Sequence, residues 1–155
     1  MNLKEHVTMS EMTEGDLYEP DPTVPNMFHE PDEYNLIDCR PAAQFQGKAK
    51  PKQFHDPRAH GSYIQYTKNI PILDLLTWGG KVVNKEIVKA KLKDIGYVEK
   101  RKTVLFCYDG MQCTLVGLIM EHAGFPPPII FHGGLYEVEQ RKPWMINGIY
   151  GWMQY

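Results

Sequence analysis

Long apolar runs are missing from this 155-residue chain: nowhere do about 18 apolar residues follow one another, the length a membrane-crossing helix needs. Its N-terminus also lacks a basic stretch followed by an apolar core, the pattern of a secretory signal. The expectation is a cytoplasmic protein with no membrane partner, or a chain whose targeting segment has been trimmed. Cysteine is scarce. Three residues, Cys39, Cys107 and Cys113, cannot all be paired, and no Cys-x-x-Cys spacing suggests zinc. Reduced thiols are expected, with Cys39 a buried structural one inside an apolar strand. Nucleic acid is not an expected partner either, because the net charge is −2 and no surface interleaves basic and aromatic residues.

What is present fits one domain with a proper core, since 155 residues at 43% apolar are too few for two ordinary domains. The charge is unevenly placed. Residues 1–33 hold nine acids and one Lys, a net of −8, while the remainder is at +6. This acidic, Pro- and Met-rich segment has no sustained period of 2 or 3.6 and is read as an extended arm, with Met27 and Phe28 able to pin it to the body. The body then occupies 34–142. Residues 143–155 carry Trp144, Met145, Tyr150, Trp152 and Tyr155 and are expected to pack on the body, cover the acidic arm or build a homodimer contact.

The chain is organised around Thr103 to Gly124. Thr103-Val104-Leu105-Phe106 is an unbroken β-favouring run, as in a parallel strand covered on both faces, and Cys107 ends it. A short loop follows, with Gly110 permitting a tight reversal, then an apolar segment long enough for three helical turns. Leu115, Leu118, Ile119 and His122 fall on one face of that helix, and Gly124 is its C′ residue. Elsewhere, Glu33 to Cys39 reads as a strand and Ile129 to Phe131 as another. Leu135 to Arg141 is a helix. So is Asn84 to Ile95, with Asn84 as N-cap, Ile87, Val88, Leu92 and Ile95 inward and Lys85, Lys89 and Lys93 outward. Gly47 to Gly61 is a long, basic, Pro-broken loop. Strands alternating with helices imply an α/β fold with a mainly parallel central sheet flanked by helices.

A loop between a strand end and a helix N-terminus points several backbone N–H groups into one concavity and adds the positive end of the helix dipole. Such surroundings lower a thiol pKa from about 8.5 to roughly 3.5–7.5. Cys107, at the rim of that cradle, is therefore the candidate nucleophile.

Cys107-Tyr108-Asp109-Gly110-Met111-Gln112-Cys113 resembles the active-site loop of rhodanese-like sulfurtransferases, Cys-x-x-Gly-x-Arg followed by Ser or Thr. Leu36-Ile37-Asp38-Cys39-Arg40 is similar to the family's Leu-Ile-Asp-x-Arg strand, and Asn69-Ile70-Pro71 to its Asn-Ile-Pro segment. Ala123-Gly124-Phe125 and His132-Gly133-Gly134 are similar to its Gly-Phe and Gly-Gly pair. The resemblance covers about Tyr34 to Glu139. Two positions depart from the loop pattern: Gln112 stands for the arginine and Cys113 for Ser/Thr. Gln donates hydrogen bonds but carries no charge, so dianions are held less firmly. Val138 also stands where the family often has Trp.

The resemblance implies a rhodanese-like domain in which Cys107 takes sulfane sulfur from a small donor and passes the persulfide sulfur to a thiol or protein acceptor. No metal or organic cofactor is called for, because this is a displacement at sulfur. The substrate-binding residues expected are Tyr108, Asp109, Gly110, Met111, Gln112 and Cys113, with Arg58 or His60 from the basic loop supplying the charge Gln112 lacks and His132 facing the cradle. Cys113 is either a resolving thiol or a small residue replacing Ser/Thr. The implied role of Asp38 and Arg40 is a structural ion pair. The alternatives are a non-catalytic binding module and a Cys-dependent phosphatase or arsenate reductase.

Overall fold

The computed structural model describes residues 6–7, 27, 30–49, 63–108, 111–141 and 145–147. Among these, the strands are β1 (His6–Val7), β2 (Tyr34–Asp38), β3 (Tyr63–Ile64), β4 (Lys68–Asn69), β5 (Lys102–Phe106), β6 (Ile129–Phe131) and β7 (Ile146–Asn147). The α-helices are α1 (Ala42–Phe45), α2 (Lys85–Asp94), α3 (Met111–His122) and α4 (Gly134–Arg141). Five strands form one parallel sheet in the order β1-β6-β5-β2-β4, and β3 pairs antiparallel with β7 beside it. The α/β class and the parallel sheet expected from sequence are what the chain forms.

Alternation along the central strands sorts the core into two halves. Ile37, Leu105 and Ile130 point to one face and pack with Val88 and Leu92 of α2 and Val116, Ile119 and Met120 of α3. Their neighbours Leu36, Val104, Phe106, Ile129 and Phe131 point to the other and pack with Leu135 and Val138 of α4. A strand buried on both sides leaves no position for a polar alternate, which is why Val104 to Phe106 reads as a continuous apolar run. Each such side chain contributes about 1.5–3 kcal/mol on burial. Cys107 continues the parity of Leu105 and therefore faces α3.

Buried polar groups fix the ends of β2 and β5. The Asn35 amide donates to the carbonyls of Val98 (2.8 Å) and Arg101 (3.2 Å) and to the Thr103 hydroxyl, and it accepts from the Val98 N–H at 2.9 Å. This one side chain sets the turn that feeds β5. At the carboxyl end, Asn69 donates to the carbonyls of Asp38 (3.0 Å) and Arg40 (2.9 Å), tying the Asn-Ile-Pro segment to β2.

Helix ends follow their residues. Asn84 accepts from the Ile87 N–H at 3.0 Å and caps α2. Gly96 and Gly124, both at positive φ, close α2 and α3 with paired C-terminal bonds, Tyr97 N–H to Leu92 carbonyl and Phe125 N–H to Met120 carbonyl, each 3.0 Å.

The rotation of two helices differs from expectation. Leu115 is 40% and Leu118 47% exposed, whereas Cys113, Val116, Gly117 and Met120 are buried alongside Ile119. Ile87 is 41% exposed, leaving Val88 and Leu92 as the buried stripe of α2 and Ile95 partly buried against it. Residues 111–122 are so generally apolar that periodicity marks no unique inward face.

Two short pieces of the terminal segments sit on the body. His6 and Val7 pair with Ile130 and Phe131 at the sheet edge. Met27 and Ile146 are buried in the α4-side core, and Met145 packs against it. Phe28, most of the arm and most of the aromatic segment lie outside the described residues.

Candidate functional site

The carboxyl ends of β2 and β5 lie side by side at the centre of the sheet, joined by the Cys39 N–H to the Phe106 carbonyl at 2.7 Å. In a parallel α/β sheet this edge is where a site forms, because the loops leaving the strands converge there. Cys107 is the first residue past β5 and Cys113 lies in the first turn of α3. Their Sγ atoms are 3.5 Å apart. A strand-end thiol and a helix-start thiol are thus within hydrogen-bonding distance. Cys107 is 1% exposed and Cys113 is fully buried, so the sequence expectation of a thiol at an open rim differs from a sulfur pair enclosed in the α3-side core.

The Cys113 thiol is pushed well above its ordinary range, chiefly by its hydrogen bond with Cys107, then by burial and by repulsion from Cys107 and Cys39. Cys113 is thus the partner that keeps its proton. Cys39 is also raised, by burial first, then by the Asp38 carboxylate and Cys107. It is a neutral thiol in the same core, as its apolar strand position suggested.

Behind the thiols stands a buried ion pair. Arg40 Nε lies 3.1 Å from both Asp38 oxygens, Nη2 lies 2.8 Å from Oδ2, and the Arg40 N–H donates to Oδ1 at 2.9 Å. Charges taken out of water need this bidentate geometry to offset desolvation. The Asp-x-Arg spacing supplies it within one strand end, and the pair is scaffold, as the resemblance implied.

The chain just past β5 is held from the other side by α4. The Leu135 N–H donates to the Cys107 carbonyl (2.9 Å) and the Tyr136 N–H to the Tyr108 carbonyl (3.2 Å). Two otherwise unpaired amides of a helix N-terminus are satisfied, and the peptide following Cys107 is fixed. A trans peptide carries its N–H opposite its C=O, so this anchoring turns the Tyr108 N–H away from α4. The His-Gly-Gly sequence now has a physical reading. Gly134 sits at φ +58 with the carbonyls of Cys107 and Tyr108 where a Cβ would be, and Gly133 leaves room for the Glu137 side chain folded over it. Sequence reasoning missed Leu135 and Tyr136 because they act through backbone amides. Gly134 was the signal.

The remaining candidates divide as follows. Tyr108 is half-buried, with its ring 6.0 Å from that of Tyr136. Met111 (75% exposed) and Gln112 lie on the open side of the first turn of α3. His132, half-buried, opens the turn that leads to Gly134. Asp109, Gly110, Arg58 and His60 lie outside the described residues. Among the described residues, no three His, Cys, Asp or Glu side chains cluster in a way that could hold a metal ion, and no helix is long and apolar enough to cross a membrane.

No protein-family model matches the chain. A Caenorhabditis elegans protein provisionally named thiosulfate sulfurtransferase mpst-1 is 33% identical over 118 residues, 74% of this chain and 35% of that protein. The crystal structure of Tum1 from Saccharomyces cerevisiae superposes with a TM-score of 0.71 at 21% identity, covering 92% of this chain and 46% of Tum1. An anaerobic ergothioneine biosynthesis enzyme from Chlorobium limicola, solved with trimethyl histidine, gives 0.66 at 11% identity, covering 92% of this chain and 31% of the enzyme. The chain spans about a third to a half of the length of these proteins. With that sequence relationship, the shared parallel-sheet fold and a cysteine closing the central strand before a loop and helix, this chain contains a rhodanese-like domain.

Proposed function

We propose that the domain is a sulfurtransferase that carries sulfane sulfur as a Cys107 persulfide. The Cys107 thiolate attacks a sulfane sulfur of polysulfide, thiosulfate or a persulfide. A new Sγ–S bond forms as the donor's S–S bond breaks, and the bonding pair leaves with the shortened polysulfide, sulfite or thiolate. A thiol acceptor then removes the outer sulfur. The observation that supports this most directly is the strand-end Cys107 set 3.5 Å from a protonated thiol in the first turn of α3. That surrounding combines a hydrogen-bond donor with the partial positive charge of a helix N-terminus, and both favour the thiolate. The C. elegans relative's name is consistent with the same chemistry. With Gln112 in place of a cationic residue, the reading favours polysulfide or persulfide donors over the thiosulfate dianion.

The test is the mass of protein treated with polysulfide and quenched with an alkylating reagent. One added sulfur at Cys107 at the earliest quench times, absent from Cys107→Ser, is the expected result. No added sulfur at Cys107 in either the wild type or Cys113→Ser would refute it.

One observation favours a second reading: at 1% exposure the Cys107 sulfur is closed to solvent, as in a domain that binds a partner without turning over. That reading expects no sulfur uptake and partner binding that survives Cys107→Ser.

A further inference from the structure

Three thiols share the α3-side core, and only Cys107 forms a bond to sulfur in the transfer step above. Cys113 Sγ lies 3.5 Å from Cys107 Sγ, at the edge of the distance of roughly 3–3.5 Å that defines a near-attack arrangement. A disulfide needs that separation to shorten to about 2.05 Å. The two residues are six apart, so the bond would close a small loop between the strand end and the first turn of the helix.

We infer that Cys113 is a second catalytic residue, which attacks the sulfur-loaded Cys107 and releases its cargo as sulfide. This rests on the persulfide reading above and deepens it by naming an internal thiol as the group that discharges the persulfide. Cys113 Sγ forms a bond to Cys107 Sγ. The bond from Cys107 Sγ to the outer sulfur breaks, and that sulfur departs with the electron pair. The Cys113 proton ends on the departing sulfur, so one persulfide anion and one thiol become one disulfide and one hydrosulfide ion. An external dithiol then reduces the disulfide and is itself oxidised, restoring both cysteines.

The electrostatics make the step conditional on loading. In the unloaded state the Cys113 proton is held mainly by its hydrogen bond to Cys107. Once Cys107 carries an extra sulfur, its negative charge moves to the outer atom and Sγ becomes a disulfide-type sulfur, a poor acceptor. The main cause of the upward push is then removed, while the first turn of α3 still favours a thiolate at Cys113. Cys39 does not gain in this way. Its proton is held first by burial and then by Asp38, and loading Cys107 changes neither.

The experiment loads the full chain with inorganic polysulfide under argon, removes the donor, and follows sulfide release and thiol state with no reductant present. The wild type is expected to release about one equivalent of sulfide and to yield a peptide in which Cys107 and Cys113 are joined. Cys113→Ser is expected to retain the sulfur on Cys107 and to release sulfide at least about tenfold more slowly until a thiol is added, having lost its intramolecular nucleophile. Cys113→Ala, slower to load without a hydrogen-bond donor beside Cys107, carries the same expectation per sulfur loaded should a buried serine hydroxyl impair folding. Wild-type protein that keeps the added sulfur with Cys113 still alkylatable overturns the inference and leaves the persulfide reading standing, as does a disulfide to Cys39. Absence of sulfur uptake in all forms overturns both.

Discussion

Replacing Gly134 by alanine tests whether the anchoring of Cys107 and Tyr108 by α4 is what sets the candidate site. At φ +58 an L-residue pays about 1–2 kcal/mol for the left-handed conformation. The added Cβ also meets the carbonyl oxygens of Cys107 and Tyr108, the acceptors of the Leu135 and Tyr136 amides. Parting the helix from Cys107 and Tyr108 forfeits those two bonds, worth about 0.5–1.5 kcal/mol each. The expected loss is therefore about 2–5 kcal/mol, within the 5–15 kcal/mol margin typical of folded domains. Gly96→Ala is the control, because Gly96 has φ +80 and nothing within 4 Å of its Cβ position, so it carries only the conformational cost. Urea unfolding followed by circular dichroism gives both values. Polysulfide loading of the folded variant gives the second readout, since displacing the nucleophile by about 1 Å can cost around a hundredfold in rate. A Gly134→Ala loss no greater than that of Gly96→Ala, with loading unchanged, would refute the account.

Three further outcomes are expected. Val116→Ala, at a buried position of α3, should cost about 1–2 kcal/mol in chemical denaturation, while Leu118→Ala on the exposed side should stay within about 1 kcal/mol of wild type; equal losses would contradict the observed rotation of the helix. Asp38→Asn leaves the Arg40 guanidinium buried without its carboxylate and should lower stability by about 3–5 kcal/mol, visible as a fall in Tm; a neutral result would show that the pair is dispensable. Cys39 and Cys113 hold their protons more tightly folded than unfolded, so the stability they confer is complete below the ordinary thiol pKa of about 8.5 and declines as pH rises above it, by up to about 1.4 kcal/mol per pH unit for each group. Cys39→Ala should flatten that alkaline slope by one group's share, and an unchanged slope would count against a neutral buried Cys39.

Much of the fold was legible where one residue type has one structural use. The run Val104 to Phe106 reads as a doubly covered strand because nothing polar interrupts it, and Asn84, Gly96 and Gly124 mark helix ends through capping and positive φ. The turning of α3 was not legible. With Leu115, Val116, Leu118, Ile119 and Met120 all apolar, any of several faces satisfies the pattern, and the choice is made by packing on Leu105 and Ile130. In the candidate site, the place of Cys107 just past a central strand and the pairing of Asp38 with Arg40 were readable, but the sulfur separation was not, since no residue type fixes it. The hold of α4 on Cys107 and Tyr108 was hidden for a different reason: backbone amides leave no trace in residue identity beyond the glycine that lets them approach.

The pairing of His6 and Val7 with β6 has a consequence for the edge of the sheet. A parallel sheet that ended at β6 would present a row of unsatisfied amides and carbonyls along a strand of Ile129, Ile130 and Phe131, an apolar template for recruiting another chain. Two residues from the far end of the same polypeptide act as a selvedge along that border, so a version shortened by its first ten residues should be more prone to self-association at high concentration.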